Sequence, residues 1–203
     1  MEPRVSSDMG AAAATLDYDA ELMLRVREGD GTSFDVLLEK YRTSVIHFLY
    51  RLVLEQAIAE ELAQEVFLRV YRSRSGYEPT AKFKTWLFRI ATHLALNWIR
   101  DEKHARGLQR LDDRSGGLTV RQVSDRQPSV EQELVHEVKL EEVRQAVAAL
   151  PGKQRAAVLM HKYEEMEYNQ IAKVLGCSES AVKSLLFRAY GTLRVRLAPL
   201  VTT

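Results

Sequence analysis

The sequence predicts an all-α protein of two small helical domains joined by a flexible linker. Three observations predict it. Apolar residues recur at helical spacing over four stretches in each half, and no stretch alternates with the period of two that a strand requires. Between the halves, residues 105–129 are rich in Arg, Asp, Gly, Ser and Gln and lack any apolar period, which is too long a gap for a loop inside one compact domain. The chain of 203 residues is 46% hydrophobic and 28% charged, the balance of a soluble globular protein.

Taken in order, residues 1–18 form an acidic lead-in of Ala, Ser and Gly with no core-forming pattern, expected to be disordered. The first domain is expected over residues 19–104. A short helix over Asp19–Glu28 ends at Gly29-Asp30-Gly31. A second, over Ser33–Leu54, carries Phe34, Leu37, Leu38, Tyr41, Val45, Phe48, Leu49 and Leu52 on one face. A third, over Ala57–Arg72, turns Leu62, Val66, Phe67 and Val70 inward, and the run Ser75–Thr80 breaks it. A fourth, over Phe83–Lys103, has Trp86, Leu87, Ile90, Leu94 and Ile99 as its apolar face and Lys84, Arg89 and Arg100 as its basic one. Trp86 tempts as a stacking platform, but its place on the apolar stripe makes it a core residue.

The second domain is expected over residues 130–203. Helices are predicted over Val130–Ala149 and Lys153–Tyr163, with Pro151 placed to open the second of these. The final pair is the most telling. A short amphipathic helix, Asn169–Leu175, meets Gly176-Cys177-Ser178, and a second amphipathic helix follows with Lys183 and Arg188 on its polar side. Gly176 takes the positive φ at which the chain stops being helical. Ser178 or Ser180 can cap the next helix. Ala181, Val182, Leu185 and Leu186 then face inward, and Ser180, Lys183, Ser184, Phe187 and Arg188 face outward. This is a helix-turn-helix, whose second helix enters the DNA major groove; a plain helical hairpin with a solvated face is the alternative. Charge agrees with DNA. The whole chain carries a net charge of only +1, yet residues 150–203 hold eight Lys and Arg against four Glu. The acidic N-terminal tail, residues 1–16, would screen non-specific DNA binding.

Other classes find little support. One cysteine, Cys177, excludes an internal disulfide; in the turn it is expected to be a small buried side chain rather than a redox thiol. No apolar run approaches a membrane span, and the start is not a good signal peptide, so a cytoplasmic protein is expected. The five histidines lack metal-ligand spacing, and there is neither a phosphate-binding Gly-rich loop nor a nucleophile signature, so no metal, cofactor, small-molecule substrate or catalysis is expected.

Four stretches then point further: F-D-V-L-L-E-K-Y at Phe34–Tyr41, A-E-E-L-A-Q-E-V-F-L-R-V-Y at Ala59–Tyr71, F-K-T-W-L-F-R-I-A-T-H-L-A-L-N-W-I-R at Phe83–Arg100, and L-P-G-K-Q-R-A-A-V-L-M from Leu150. In this order, and with a linker of this length, the chain resembles a short sigma factor of bacterial RNA polymerase, of the extracytoplasmic-function type in the sigma-70 family. The resemblance covers nearly all of Glu21–Leu197.

The resemblance implies a region 2 domain followed by a region 4 domain, in a chain that is a monomer when free. Glu61, Gln64, Glu65 and Leu68 would dock on the clamp helices of the polymerase largest subunit, although their charge alone reads equally as a solvated acidic face. Region 4 would meet the flap. Tyr77, Lys82, Lys84, Arg89, Asn97 and Arg100 would bind the −10 element, with the loop Tyr77–Lys82 bordering a pocket for an unstacked base. Ser180, Lys183, Ser184 and Arg188 would bind the −35 element. An anti-sigma factor is the expected regulator. The chain departs from the family at His93, where Asn is common, at Asn97, at Leu185, where a basic residue is common, and at Tyr190-Gly191. An ordinary helix-turn-helix regulator is the competing reading; it accounts for residues 150–197 but not for the stretches at Ala59 and Phe83.

Overall fold

The computed structural model describes residues 17–109 and 140–201. The expected tail, most of the expected linker and the start of the helix expected from Val130 lie outside the described residues. Within them the chain is helical, in the order α1 (Tyr18–Arg27), α2 (Gly31–Val53), α3 (Gln56–Arg72), a 3-10 turn (Arg74–Gly76), α4 (Phe83–Gln109), α5 (helical over 140–148), α6 (Gly152–Tyr163), α7 (Tyr168–Leu175) and α8 (Glu179–Val201).

Capping explains the boundaries. Asp17 opens α1 by accepting from the Asp19 amide, and its other oxygen accepts from the Phe83 amide, so one carboxylate ties the starts of α1 and α4 together. Asp30 opens α2 through the Ser33 amide and hydroxyl, which hold its carboxyl below the usual carboxylate range. Glu167 and Gln170 form a reciprocal capping box at the start of α7. Gly176 ends α7 at φ 62°, the left-handed conformation that the sequence required there. Of the two serines able to cap α8, Ser178 does so, accepting from the Ala181 amide at 3.2 Å.

The first four helices close around an aromatic core. Phe48 of α2 meets Phe88 of α4 edge to face at 5.1 Å, Tyr41 packs on Phe83, and Tyr77 lies between Phe83 and Trp86. Asp19 is buried beneath this layer and is held by the Tyr41 hydroxyl at 2.5 Å and the Lys40 ammonium at 2.6 Å. Burial, followed by this carboxylate, pushes the Tyr41 phenol far up.

Two features differ from the sequence reading. The fourth helix does not end near Lys103 but runs to Gln109, taking in the first residues of the expected linker. The two domains, expected to hang on a tether, pack against one another. Helices α6 and α7 lie on α2 and α4, and one apolar core runs through both domains. That packing explains why α4 buries more than its expected stripe. Phe88, Ala91 and Ala95 are fully buried, whereas Trp86, Ile90, Leu94 and Ile99 are only partly so. Cys177 is likewise partly rather than fully buried.

Two stability measurements test this packing. Tyr77 is 3% exposed, and among the described residues its hydroxyl has no hydrogen-bond partner; burial pushes its pKa up to about 12. Tyr77→Phe removes only that orphan group and is expected to leave thermal stability unchanged or raise it, while Tyr77→Ala should cost about 3–5 kcal/mol. Since the folded-state pKa is raised, the folded protein holds this proton longer, and stability from this group is expected to fall as pH rises from the ordinary phenol value of 10 towards 12. Gly191 lies within α8 with open space where a Cβ would stand. Gly191→Ala is therefore expected to raise stability by about 0.5–1 kcal/mol in a denaturant titration.

Candidate nucleic-acid interface and docking edge

Three surfaces carry the residues singled out by sequence. The first is one flank of α3. Glu61, Gln64, Glu65 and Leu68 follow the i, i+3, i+4, i+7 spacing of a single helical stripe, opposite the buried Ala59, Ala63, Val66 and Val70. Glu61, Gln64 and Leu68 are exposed, Leu68 at 47%. Arg69 donates to Glu65 at 2.6 Å, and this bond holds the Glu65 carboxyl below its ordinary range. Tyr71, also exposed, extends the stripe with an aromatic ring held between Phe34 and the Arg74 guanidinium. The edge thus mixes acid, amide and apolar groups.

The second surface is one side of α4. Arg89, Asn97 and Arg100 are exposed and share a stripe, and His93 fills the place between Arg89 and Asn97. Lys82 is exposed just ahead of the helix, its carbonyl accepting from the Thr85 and Trp86 amides. Two expected members do not lie on this stripe. Lys84 sits roughly 140° around the helix from Arg89, because the five intervening steps do not return to the same face. Its ammonium is instead bound to the Glu164 carboxylate at 3.0 Å and to the Glu164 carbonyl at 2.8 Å. Tyr77 is inside the core, so its ring is not open to a base. It supports the loop from below, with its carbonyl accepting from Arg27. Trp86 is partly buried against Tyr77 and Phe83.

The third surface is the outer face of α8. Val182, Leu186 and Ala189 are buried, and Ser180, Lys183, Ser184 and Arg188 are exposed. The Ser184 hydroxyl donates to the Ser180 carbonyl, and the Arg188 Nε to the Ser184 carbonyl, leaving most of the guanidinium free to reach outward. At the centre of this face stands Phe187, 80% exposed. It lies outside the −35 set named from sequence, although its spacing from Lys183 and Ser184 already gave its direction. A large apolar ring ringed by cations and hydroxyls suits a base edge better than it suits water.

Among the described residues, no helix is long and apolar enough to cross a membrane, and no group of three or more His, Cys, Asp and Glu could hold a metal ion.

Comparison with known proteins matches the chain to one family. The model of sigma-70 region 2 matches residues 37–105, and that of sigma-70 region 4 matches residues 140–193. The RNA polymerase sigma factor CarQ of Myxococcus xanthus is 31% identical over 178 residues, which is 88% of this chain and 97% of that protein. The RNA polymerase sigma-H factor of Pseudomonas aeruginosa is 29% identical over 196 residues, 92% of this chain and 97% of its own length. Among solved structures, CnrH in complex with the cytosolic domain of CnrY shares the fold at a TM-score of 0.65 and 19% identity, covering 90% of this chain and 99% of that one. The sigma factor RpoE in complex with the anti-sigma factor NepR, from Bartonella quintana, does so at 0.61 and 22%, covering 81% and 96%. The chain belongs to the sigma-70 family of RNA polymerase sigma factors, in its extracytoplasmic-function branch.

Proposed function

We propose that this protein is a dissociable, cytoplasmic promoter-specificity subunit with no catalysis of its own. It docks on core RNA polymerase through α3, reads the −35 element with α8, and opens the −10 element with α4 and the loop before it. The observation that carries this reading is the presence of exposed polar and basic stripes on both α4 and α8, one in each domain. An independent helix-turn-helix regulator has no use for the first.

Each surface has a physical task. On α8, Lys183 and Arg188 neutralise phosphates or reach guanine O6 and N7, and Phe187 offers apolar contact to a thymine methyl. The α8 N-terminus, capped by Ser178, adds a partial positive charge near the backbone. On α4, Arg89, Asn97 and Arg100 follow the phosphates of the single strand. An unstacked base is captured beside the loop that Tyr77 holds from beneath. Strand opening then needs no nucleotide hydrolysis, since binding of the single strand offsets the lost stacking. The segment between the described domains, residues 110–139, reaches about 100 Å when extended at about 3.3–3.6 Å per residue, enough to let the two domains sit on separate elements. An anti-sigma factor, of the kind that RpoE binds in NepR, is the expected regulator.

Lys183→Ala, Arg188→Ala or Phe187→Ala should each lower −35-dependent initiation about tenfold, the loss of one base or phosphate contact, and leave core affinity unchanged in a polarisation assay. A parallel loss of core binding would contradict the division of labour. Glu61→Lys combined with Gln64→Ala should weaken core binding by about tenfold with the helical spectrum intact; unchanged affinity would move the docking surface elsewhere.

A further inference from the structure

The last helix carries a glycine that nothing inside the protein explains. Gly191 lies in the middle of α8, and glycine is the poorest helix former apart from proline. Its backbone is helical rather than left-handed, since among the described glycines only Gly29 and Gly176 take a positive φ. Nothing packs on it either: a Cβ placed there would meet no atom within 4 Å. Neither backbone conformation nor internal packing calls for glycine here.

A hinge is another use for a helical glycine, but the helix is braced on both sides of this one. Ala189 is fully buried. The Tyr190 hydroxyl lies 3.1 Å from Nδ1 of His161 in α6, and the Thr192 hydroxyl donates to the Arg188 carbonyl at 3.1 Å. The reason for the glycine lies on the face that α8 turns to solvent.

That face is specific around Gly191. On a helix, the nearest surface neighbours of a residue stand three and four positions away in each direction. Here they are Phe187 and Arg188 before it, and Arg194 and Val195 after it. All four are exposed, Phe187 at 80% and Val195 at 77%. The open space over Gly191 is thus a notch bordered by two apolar groups and two guanidiniums. Arg188 commits only its Nε, to the Ser184 carbonyl. Among the described residues, no hydrogen bond or ion pair occupies Arg194.

Such a border suits one sugar–phosphate unit of a DNA strand. Guanidiniums meet the phosphate oxygens, the apolar groups meet the deoxyribose carbons, and a missing Cβ lets the strand approach the helix backbone. The position agrees. At about 100° per residue, Arg194 stands roughly 20° around α8 from Phe187 and about 10 Å further along its axis. The major groove is about 12 Å wide. With Lys183 and Phe187 in the groove, Gly191 and Arg194 meet the strand that walls it. Arg194 and Val195 lie outside the residues 140–193 that the region 4 model matches, so half of the border belongs to this chain's own sequence.

We propose that Gly191 is the floor of a notch that seats one sugar–phosphate of the DNA strand bordering the −35 element. Arg194 clamps the phosphate, and the absence of a side chain at position 191 sets how deeply α8 enters the groove. The notch rests on the −35 role proposed above and adds to it a seat for the DNA backbone.

The test uses the full chain bound to core polymerase, and a linear promoter fragment chosen from those on which that holoenzyme initiates. Gly191→Ala and Gly191→Leu improve helix propensity, so the thermal midpoint of the free protein is expected to hold or rise. Affinity for the fragment is expected to fall, about threefold for alanine and at least tenfold for leucine. The loss should be alike for all −35 sequences, because backbone contacts position the helix without reading bases. Arg194→Ala should weaken binding about fivefold and reduce the slope of log affinity against log salt by about 0.9, the share of one phosphate. Arg196→Ala removes the same charge from the opposite side of α8, roughly 180° from Phe187, and should change neither. Unchanged affinity in Gly191→Leu, a loss confined to particular −35 sequences, or equal salt slopes for Arg194→Ala and Arg196→Ala would overturn the proposal. If the unaltered holoenzyme selects no promoter, the function reading falls and the notch with it. If it does select promoters and Gly191→Leu binds them equally well, the notch alone falls.

Discussion

The burial of α4 is the constraint on which the other surfaces depend. Phe83, Leu87, Phe88, Ala91 and Ala95 are fully buried, against α2 and α3 on one side and near α6 and α7 on another. Each large apolar side chain so buried contributes about 1.5–3 kcal/mol. What remains in solvent is a narrow polar stripe with Arg89, His93, Asn97 and Arg100. The stripe therefore owes its straightness and spacing to the core beneath it. The Asp17 carboxylate fixes where the helix begins, and the Tyr77 ring fixes the loop that leads into it.

Much of this was legible from periodicity. The 3.6-residue repeat located α1, α2, α3 and α4, and glycine at position 176 located the turn of the helix-turn-helix to the residue. The face of α8 was legible for the same reason, since Val182 and Leu186 had to go inward and Lys183, Ser184 and Arg188 therefore outward. Where the reading failed, the physics is long-range. Tyr77 is an aromatic in a loop, and nothing local says whether its ring faces a base or the core; its neighbours Phe83 and Trp86 decide it. Lys84 is a basic residue near the start of a basic helix, but its partner stands 80 positions away. No pattern in either domain announces that the two would meet, because helical periodicity shows which face is buried and not what buries it, and the polar contacts across the junction come from single residues, Arg155 and Glu164.

The division of the chain into two domains has an energetic logic. On the function proposed above, each recognition surface offers only three or four exposed groups to nucleic acid, so either domain alone would bind a given sequence weakly. Joined on one chain, the second engagement becomes intramolecular, and selectivity for a pair of elements exceeds that for either. The cost is a chain whose two halves also find each other. In this protein they do so through a shared apolar core and through the Glu164 carboxylate set on Lys84 of α4.

The central claim is that this chain confers promoter selectivity on core polymerase. It is tested most directly by abortive initiation from a library of linear promoters, using bacterial core RNA polymerase with and without the protein. The account predicts short RNA products only when both are present, from templates that share a −35 and a −10 sequence at fixed spacing. Absence of product, together with tight binding of the protein alone to duplex DNA, would contradict it and leave an independent helix-turn-helix regulator in its place.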